Sequence, residues 1–241
     1  MLVMQENPIR FSRENVIVSV DDFGIRDVAE SILPLAKQGK VDRVSVLINY
    51  VKSEAQAKEL AATGVKIDLH LELIDLIKSG KEDNGMALFR GLNFAARYAF
   101  GMVSVSDVER AWVQQIELFK KMFGRYPDGL NSHEHVHYFP RFFRIVLMLG
   151  DRYGIPFIRF ASEGILEKRS SIAARVISLL WWRNTAYYKE NSESRETPDF
   201  FVSYDWIDDF SAFLRNLPAG KTEIVFHPER KGEYDSIEAC F

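Results

Sequence analysis

The chain has 241 residues, and 47% of them are hydrophobic, which suits one soluble globular domain, 1–241. Its net charge of −3 gives no electrostatic attraction for nucleic acid. Its single cysteine, Cys240, excludes a disulfide framework and a cysteine metal cluster. Residues 1–15 lack the apolar segment of a signal peptide, and no uncharged apolar run of roughly 18 residues occurs, so we expect a cytoplasmic protein without a membrane span.

Short β-branched runs alternate with amphipathic helical patterns along the chain. Seven strands are predicted, at residues 16–20, 44–48, 65–71, 129–137, 156–160, 201–204 and 223–227. Helices are predicted between them, at residues 26–38, 53–62, 106–123, 141–153, 170–182 and 206–217. Residues 74–104 have no clean period and are typical of a lid or binding loop, and residues 186–199 indicate an exposed loop. The alternation predicts a parallel sheet with right-handed crossovers.

The polar residues decide between a barrel and an open doubly wound sheet. They fall at or near the carboxyl ends of strands one, three, four, five and seven, and are Asp21, Asp22, His70, His133, His135, His137, Arg159 and His227. An open sheet gathers functional residues at one switch point, whereas a barrel draws them from several strand ends to one mouth. We therefore predict an α/β fold, an irregular and incomplete (β/α) TIM-like barrel with about seven strands.

Three of the five histidines lie at alternate positions of one segment, at His133, His135 and His137. On an extended strand these imidazoles share one face, and imidazole is a common metal ligand. Neighbouring members of the triplet would be about 6.5–7 Å apart, so we do not expect one ion to bind all three. A metal site built by several strands is our hypothesis. For His70, a hydrogen-bonded core histidine is the alternative.

Asp21 and Asp22 supply two adjacent carboxylates at the end of strand one. Neighbouring strand residues point to opposite faces, so both reach the mouth only if the chain turns there, which Phe23-Gly24 permits. One carboxylate could then bind a metal while the other holds or deprotonates water. A turn with a helix cap is the plainer interpretation of Asp-Asp-Phe-Gly.

The remaining patterns indicate structure rather than chemistry. The apolar helix around Trp181-Trp182 is expected to face the core or a second subunit, which leaves a homo-oligomer open, and we do not expect a membrane-surface role despite the flanking arginines, Arg175 and Arg183. Glycine-rich nucleotide-binding patterns are missing from the sequence, so no nucleotide cofactor is expected. No Gly-x-Ser-x-Gly motif occurs and Cys240 has no neighbouring histidine, so a covalent nucleophile is not indicated.

Four motifs resemble those of the YdjC-like carbohydrate deacetylases, the family that includes the chitooligosaccharide deacetylases. They are Asp21-Asp22-Phe23-Gly24, Asp68-Leu69-His70-Leu71, Ser132-His133-Glu134-His135-Val136-His137 and Glu223-Ile224-Val225-Phe226-His227-Pro228. The motifs occur in family order over about residues 15–230. Asn131 stands where the family frequently has Asp, and Ser19-Val20 where it usually has Asn-Ala.

The resemblance implies an irregular (β/α) barrel that uses Mg²⁺ or Zn²⁺ to remove the N-acetyl group from an amino sugar or acetylated oligosaccharide. By position, the metal ligands would be Asp22, His70 and His133. Asp21 would be the base that deprotonates metal-activated water, and His227 would be the acid or oxyanion partner. His135, His137 and Arg159 would line the pocket and orient the groups around the metal.

Two other functions stay open on the residues alone. One is a metal-dependent amide or ester hydrolase of another class, such as an amidohydrolase-like barrel, which the His135-x-His137 pair superficially suits. Such enzymes usually place that pair at strand one, where this chain has Asp21-Asp22 instead. The other is a non-catalytic glycan- or metal-binding barrel.

Overall fold

The computed structural model describes residues 12–25, 27–73, 94, 97–98, 100–166, 171–191 and 195–241. The strands are β1 Val16–Phe23, β2 Arg43–Val46, β3 Lys66–Leu71, β4 Gly129–Ser132, β5 Phe157–Ile158, β6 Gly164–Ile165, β7 Phe200–Ser203 and β8 Thr222–Phe226. The helices are α1 Val28–Lys37, α2 Glu54–Ala61, α3 Val105–Phe123, α4 Pro140–Tyr153, α5 Ile172–Asn191, α6 Phe210–Arg215 and α7 Lys231–Cys240. Most of the lid or binding loop predicted at residues 74–104 lies outside the described residues.

The strands form one parallel sheet in the order β5-β4-β3-β2-β1-β8-β7-β6. This is the strand order of a (β/α) barrel opened between β5 and β6, which are the two edges of the sheet in the described part of the chain. The predicted incomplete barrel is therefore confirmed. The structure has one strand more than the seven predicted. The additional strand is β6, whose two residues are too few to give a periodic signal in the sequence.

The apolar core lies between the sheet and its helices, while the concave face of the sheet is polar. Alternate residues of β1 to β3, such as Val18, Val44 and Leu69, are fully buried in the apolar core. The residues between them, which point to the other face, include Ser19, Asp68 and others joined by hydrogen bonds across the sheet. A polar interior of this kind places titratable groups directly beneath the mouth.

The N-cap of helix α3 lies two residues before the one that the sequence pattern indicates. Ser106, with Glu109 three residues later, has the sequence pattern of an N-cap. In the structure the cap is Ser104, which has extended backbone angles and accepts a hydrogen bond from the Asp107 backbone N–H at 3.3 Å. The predicted end is confirmed, because Gly124 follows the helix in the left-handed conformation with φ 71°. A cap depends on which hydroxyl reaches the free N–H groups, and both serines fit the local pattern.

The predicted strand at residues 129–137 is wrong in its second half. Strand β4 ends at Ser132, and His133–Tyr138 forms a 3-10 segment in which Glu134 and His135 have φ values of 53° and 54°. These left-handed residues turn the chain, so the three histidines do not share one face of a strand. Each imidazole instead points into a different environment.

Helix α5 runs to Asn191, so the exposed loop predicted at residues 186–199 is wrong for its first six residues. Its inner side reaches the core through Ala174, Ile177 and Tyr188, as expected for a core-facing helix. The outer side exposes four large apolar residues, namely Ile172, Val176, Leu179 and Trp182. Among the described residues, no helix combines the length and the apolar character that crossing a membrane requires.

Candidate metal centre

The carboxyl end of β1 carries both carboxylates of the site. Between Val20 and Phe23, three steps along β1 match two steps along β2, and Asp22 within this bulge has φ 68°. A bulge re-aims side chains, so the two acidic neighbours lie together instead of on opposite faces. Oxygen atoms of Asp21 and Asp22 are 3.9 and 3.4 Å from His70 Nε2. The turn expected at Phe23-Gly24 follows the bulge directly, because the Ile25 backbone N–H donates to the Asp22 carbonyl at 3.1 Å and Gly24 has φ 111°.

Asp22 is the centre of a small cluster of imidazoles. Its Oδ1 atom is 3.0 Å from His133 Nδ1 and 3.4 Å from His70 Nε2, and its Oδ2 atom is 4.0 Å from His227 Nε2. One ligand atom each from Asp22, His70 and His133 lie within 4.8 Å of one another. The structure therefore brings together the three residues that the resemblance implies as ligands, from the ends of β1, β3 and β4.

The donor set fits a divalent metal ion. One carboxylate and two imidazoles are the ligand types of catalytic zinc sites, which keep a further position open for water or substrate. The side chains of His133 and Asp22 are 28% and 13% exposed, so one side of the cluster faces the mouth. His70 Nε2 also faces two carboxylate oxygens beyond ordinary hydrogen-bond length, a spacing that a cation between them would fill.

Hydrogen bonding and charge shift the pKa values of Asp22 and His133 in opposite directions. Burial alone disfavours the Asp22 carboxylate, but the hydrogen bond and the charge of His133 hold the pKa of Asp22 well below its usual range. Burial likewise disfavours the His133 imidazolium, yet the hydrogen bond and the charge of Asp22, together with the nearby carboxylates of Glu134 and Asp21, outweigh it and raise the pKa of His133. Bound metal would take the place of this proton as the partner of Asp22.

Asp21 is held by a buried arginine beside the cluster. Arg159 donates from Nη1 and Nη2 to the two Asp21 oxygens at 2.7 and 2.9 Å, and from Nε to Glu223 Oε1 at 2.9 Å. All three side chains are almost completely buried. Burial opposes ionisation of Asp21, but the Arg159 charge holds the pKa of Asp21 well below its usual range. Asp21 is therefore a carboxylate fixed in position.

His137 and His135 lie away from the Asp22 cluster. His137 Nε2–H donates to the Arg159 carbonyl at 2.9 Å, and its Nδ1 is 2.6 Å from Ser132 Oγ. Burial and the nearby Arg159 charge lower the pKa of His137 to about 3, so it stays neutral. His135 packs against the rings of Phe201 and Trp206 at centroid distances of 5.3 and 6.2 Å. Contact of either imidazole with substrate remains a prediction.

His227 approaches Asp22 from β8 and is backed by a buried glutamate. Glu233 Oε2 accepts the His227 backbone N–H at 2.6 Å and lies 3.9 Å from His227 Nδ1, which has no hydrogen-bond partner among the described residues. Burial raises the pKa of Glu233. The predicted residue His227 is thus brought to the site, with Nε2 towards Asp22 and Nδ1 towards Glu233.

Sequence reasoning missed the polar residues that lie behind the site. Asn131, Ser45, Glu223 and Glu233 contact site residues or their partners and are all buried. Asn131 is paired in register with His70 on the neighbouring strand. A polar residue on the strand next to a predicted ligand could have indicated such a supporting role. Which residues lie opposite each other, however, depends on the register of the strands, and the sequence does not give that register.

Comparison with known proteins gives one family match. A family model described as YdjC-like protein matches residues 15–238. The chain is similar to a protein named carbohydrate deacetylase from Mus musculus, with 29% identity over 64% of this chain and 52% of the mouse protein. It is also similar to a chitooligosaccharide deacetylase from Salmonella paratyphi B, with 30% identity over 58% of this chain and 57% of that protein. The chain thus spans about half the length of these curated relatives.

A solved structure shares the fold. A protein from Enterococcus faecalis, named as a candidate cellobiose-phosphate cleavage protein, superposes with a TM-score of 0.56 at 19% identity. The superposition covers 88% of this chain and 80% of that one. At this identity the likeness concerns the fold alone.

Proposed function

The chain belongs to the YdjC-like family, and on that premise we propose that it hydrolyses the N-acetyl group of an amino sugar or acetylated oligosaccharide at a divalent metal centre. Relatives named carbohydrate deacetylase and chitooligosaccharide deacetylase support the substrate class. The observation that carries the proposal is the contact of the Asp22 carboxylate with two imidazoles, beside a second carboxylate held by a buried arginine.

In this proposal Asp22, His70 and His133 hold the metal. Two imidazoles in the set favour Zn²⁺ or a similar transition metal over Mg²⁺, which prefers ligands made entirely of oxygen. A divalent cation in this position supplies a Lewis acid that polarises a carbonyl group and makes water more acidic.

Asp21 is the proposed base. Arg159 uses one lone pair on each Asp21 oxygen, and every carboxylate oxygen has a second lone pair with which it can orient water and accept its proton. The low pKa of Asp21 makes it a weak base, so its main contribution is a fixed acceptor at the site rather than strong basicity.

His227 is the proposed acid. Its Nε2 atom lies 4.0 Å from Asp22 Oδ2, and the residue directly follows β8, which pairs with β1. A proton delivered from this nitrogen to the amine would let the C–N bond break, releasing acetate and the free amino sugar. Glu233, 3.9 Å from Nδ1, is placed to orient the imidazole.

The test is acetate release from a panel of N-acetylated sugars, from N-acetylglucosamine to chitin oligomers, by protein loaded with Zn²⁺ or Mg²⁺. We expect metal-dependent acetate release that His133→Ala abolishes together with metal binding. The control is Arg152→Met, at an exposed ion pair with Glu109, which should leave both unchanged. Bound metal without acetate from any sugar would favour a non-catalytic binding barrel, and hydrolysis of other amides or esters alone would favour another hydrolase class.

A further inference from the structure

A buried amide, Asn131, lies behind His70. Asn131 is fully buried on β4 and stands in register with His70 on β3. Its Oδ1 atom is 2.5 Å from His70 Nδ1, and its Nδ2 donates to Ser45 Oγ at 2.8 Å. The amide therefore contacts the imidazole nitrogen that faces away from Asp22.

The chemistry of the amide fixes where the proton of His70 lies. Because Nδ2–H of Asn131 is used by the Ser45 hydroxyl, the oxygen faces His70, and an amide oxygen can only accept a hydrogen bond. Nδ1 of His70 must then be the donor. The other nitrogen, Nε2, is left with its lone pair directed at the Asp22 carboxylate 3.4 Å away.

The distances around the His70 ring agree with a proton on Nδ1. The contact at Nδ1 is 2.5 Å, whereas those from Nε2 to Asp22 and Asp21 are 3.4 and 3.9 Å. A proton on Nε2 would be expected to draw one of those carboxylates to about 2.9 Å. The strong hydrogen bond of the His70 ring is the one to Asn131.

We infer that Asn131 is a positioning residue that fixes the tautomer and ring orientation of His70, so that Nε2 is presented as a ligand; this inference rests on the proposed metal centre. Groups that hydrogen-bond the far nitrogen of a ligating histidine set its tautomer and orientation, and their loss costs about 10–100-fold in metal affinity or activity.

The hydrogen bonds of Asn131 continue to the ion pair between Arg159 and Asp21. Ser45 Oγ, which accepts from Asn131, also accepts from Arg159 Nη2 at 3.2 Å. Arg159 in turn binds both oxygens of Asp21. One hydroxyl thus connects the support of a ligand with the support of the proposed base, so Ser45→Ala should disturb both.

The first test is the tautomer of His70 in metal-free protein, read from ring nitrogen chemical shifts by ¹⁵N NMR at pH 9. We expect the proton on Nδ1 in the unaltered chain and a shift of that proton towards Nε2 in Asn131→Leu. A proton on Nε2 in the unaltered chain would overturn the inference. This result requires no metal and no turnover, so it is distinguishable from a failure of the proposed function.

The second test is Zn²⁺ affinity measured by competition with a chelator. Asn131→Leu, which removes the acceptor, should weaken binding about 10–100-fold. Asn131→Asp keeps an acceptor for Nδ1 and should restore binding at least to the level of the unaltered chain. Asn184→Leu, which removes a buried amide bonded to the Tyr138 carbonyl, is the matched control and should leave the affinity unchanged. Equal affinities for all three variants would contradict the role of Asn131, as would a loss in Asn131→Asp equal to that in Asn131→Leu.

Discussion

The Arg159→Met substitution removes one buried guanidinium from two carboxylates at once. Arg159 and Glu223 are 0% exposed and Asp21 is 3% exposed, with N–O distances of 2.7 and 2.9 Å for the two pairs. Breaking a buried ion pair by removing one partner costs about 3–5 kcal/mol, because the remaining charge has no compensation. We expect a loss of about 3–5 kcal/mol in the free energy of unfolding at pH 8, a large part of the 5–15 kcal/mol that holds most proteins folded.

This loss should depend on pH in a defined direction. In the native chain the folded-state pKa of Asp21 is depressed, so the Arg159 contact stabilises the fold above the unfolded-state pKa. Without Arg159, burial of Asp21 is offset only by the neighbouring imidazoles of His70 and His227, so its folded-state pKa rises. Burial already raises the pKa of Glu223. The deficit is therefore largest at neutral and alkaline pH and shrinks as both groups become protonated towards about pH 4.

The assay is urea unfolding of metal-free protein, followed by tryptophan fluorescence between about pH 8 and about pH 4. Arg152→Met is the matched control, because its pair with Glu109 at 3.1 Å has side chains that are 47% and 35% exposed. An exposed pair contributes about 0–1 kcal/mol. A loss below about 1 kcal/mol for Arg159→Met, or a loss that does not change with pH, would refute the explanation that the buried ion pairs of Arg159 stabilise the fold.

Three smaller predictions follow from local geometry. The folded-state pKa of His137 is about 3, so between about pH 6.5 and 3 only the unfolded chain binds this proton, and the stability of the fold decreases as the pH falls. His137→Gln should make this decrease less steep, by up to about 1.4 kcal/mol per pH unit. Urea unfolding across that pH range checks the prediction. Gly24→Ala should destabilise more than Gly39→Ala, since both have positive φ but an added Cβ at Gly24 would lie 2.9 Å from the Leu47 carbonyl oxygen; thermal melts of the two variants decide. Ser104→Ala should cost about 1 kcal/mol as a lost helix cap, measured by the same unfolding curves.

Much of the fold could be predicted because its signals are local. The β-branched runs and the helical periodicities identified the main strands of a parallel barrel, and polar residues at the strand ends located its mouth. The two-residue strand Gly164–Ile165 could not be found, since pairing with β7 rather than any pattern of its own makes it a strand.

The sequence named the residues that the structure brings together in the candidate centre, but not their geometry. His133, His135 and His137 looked like one face of a strand because alternation is the default for an extended chain, whereas the left-handed angles at Glu134 and His135 depend on the surrounding structure. Left-handed angles of this kind occur at three non-glycine residues among those described, and the third is Asp22, so the backbone strain lies at the candidate centre.

The supporting residues could not be recognised from the sequence for a different reason. Asn131, Ser45 and Glu223 are ordinary strand residues until the register brings them next to His70 and Arg159. Their role depends on contacts between distant parts of the chain, and Ser19 and Glu223, which are hydrogen-bonded at 2.7 Å, are 204 residues apart.

The most direct measurement of the central claim compares metal content and acetate release in Asp22→Asn and Asp21→Asn. Asp22 contacts two imidazoles and is the proposed ligand, whereas Asp21 is bound by Arg159 and is the proposed base. We expect Asp22→Asn to lose metal and acetate release together, and Asp21→Asn to keep the metal and lose acetate release. Full acetate release by Asp21→Asn, or full metal content in Asp22→Asn, would contradict this division of roles.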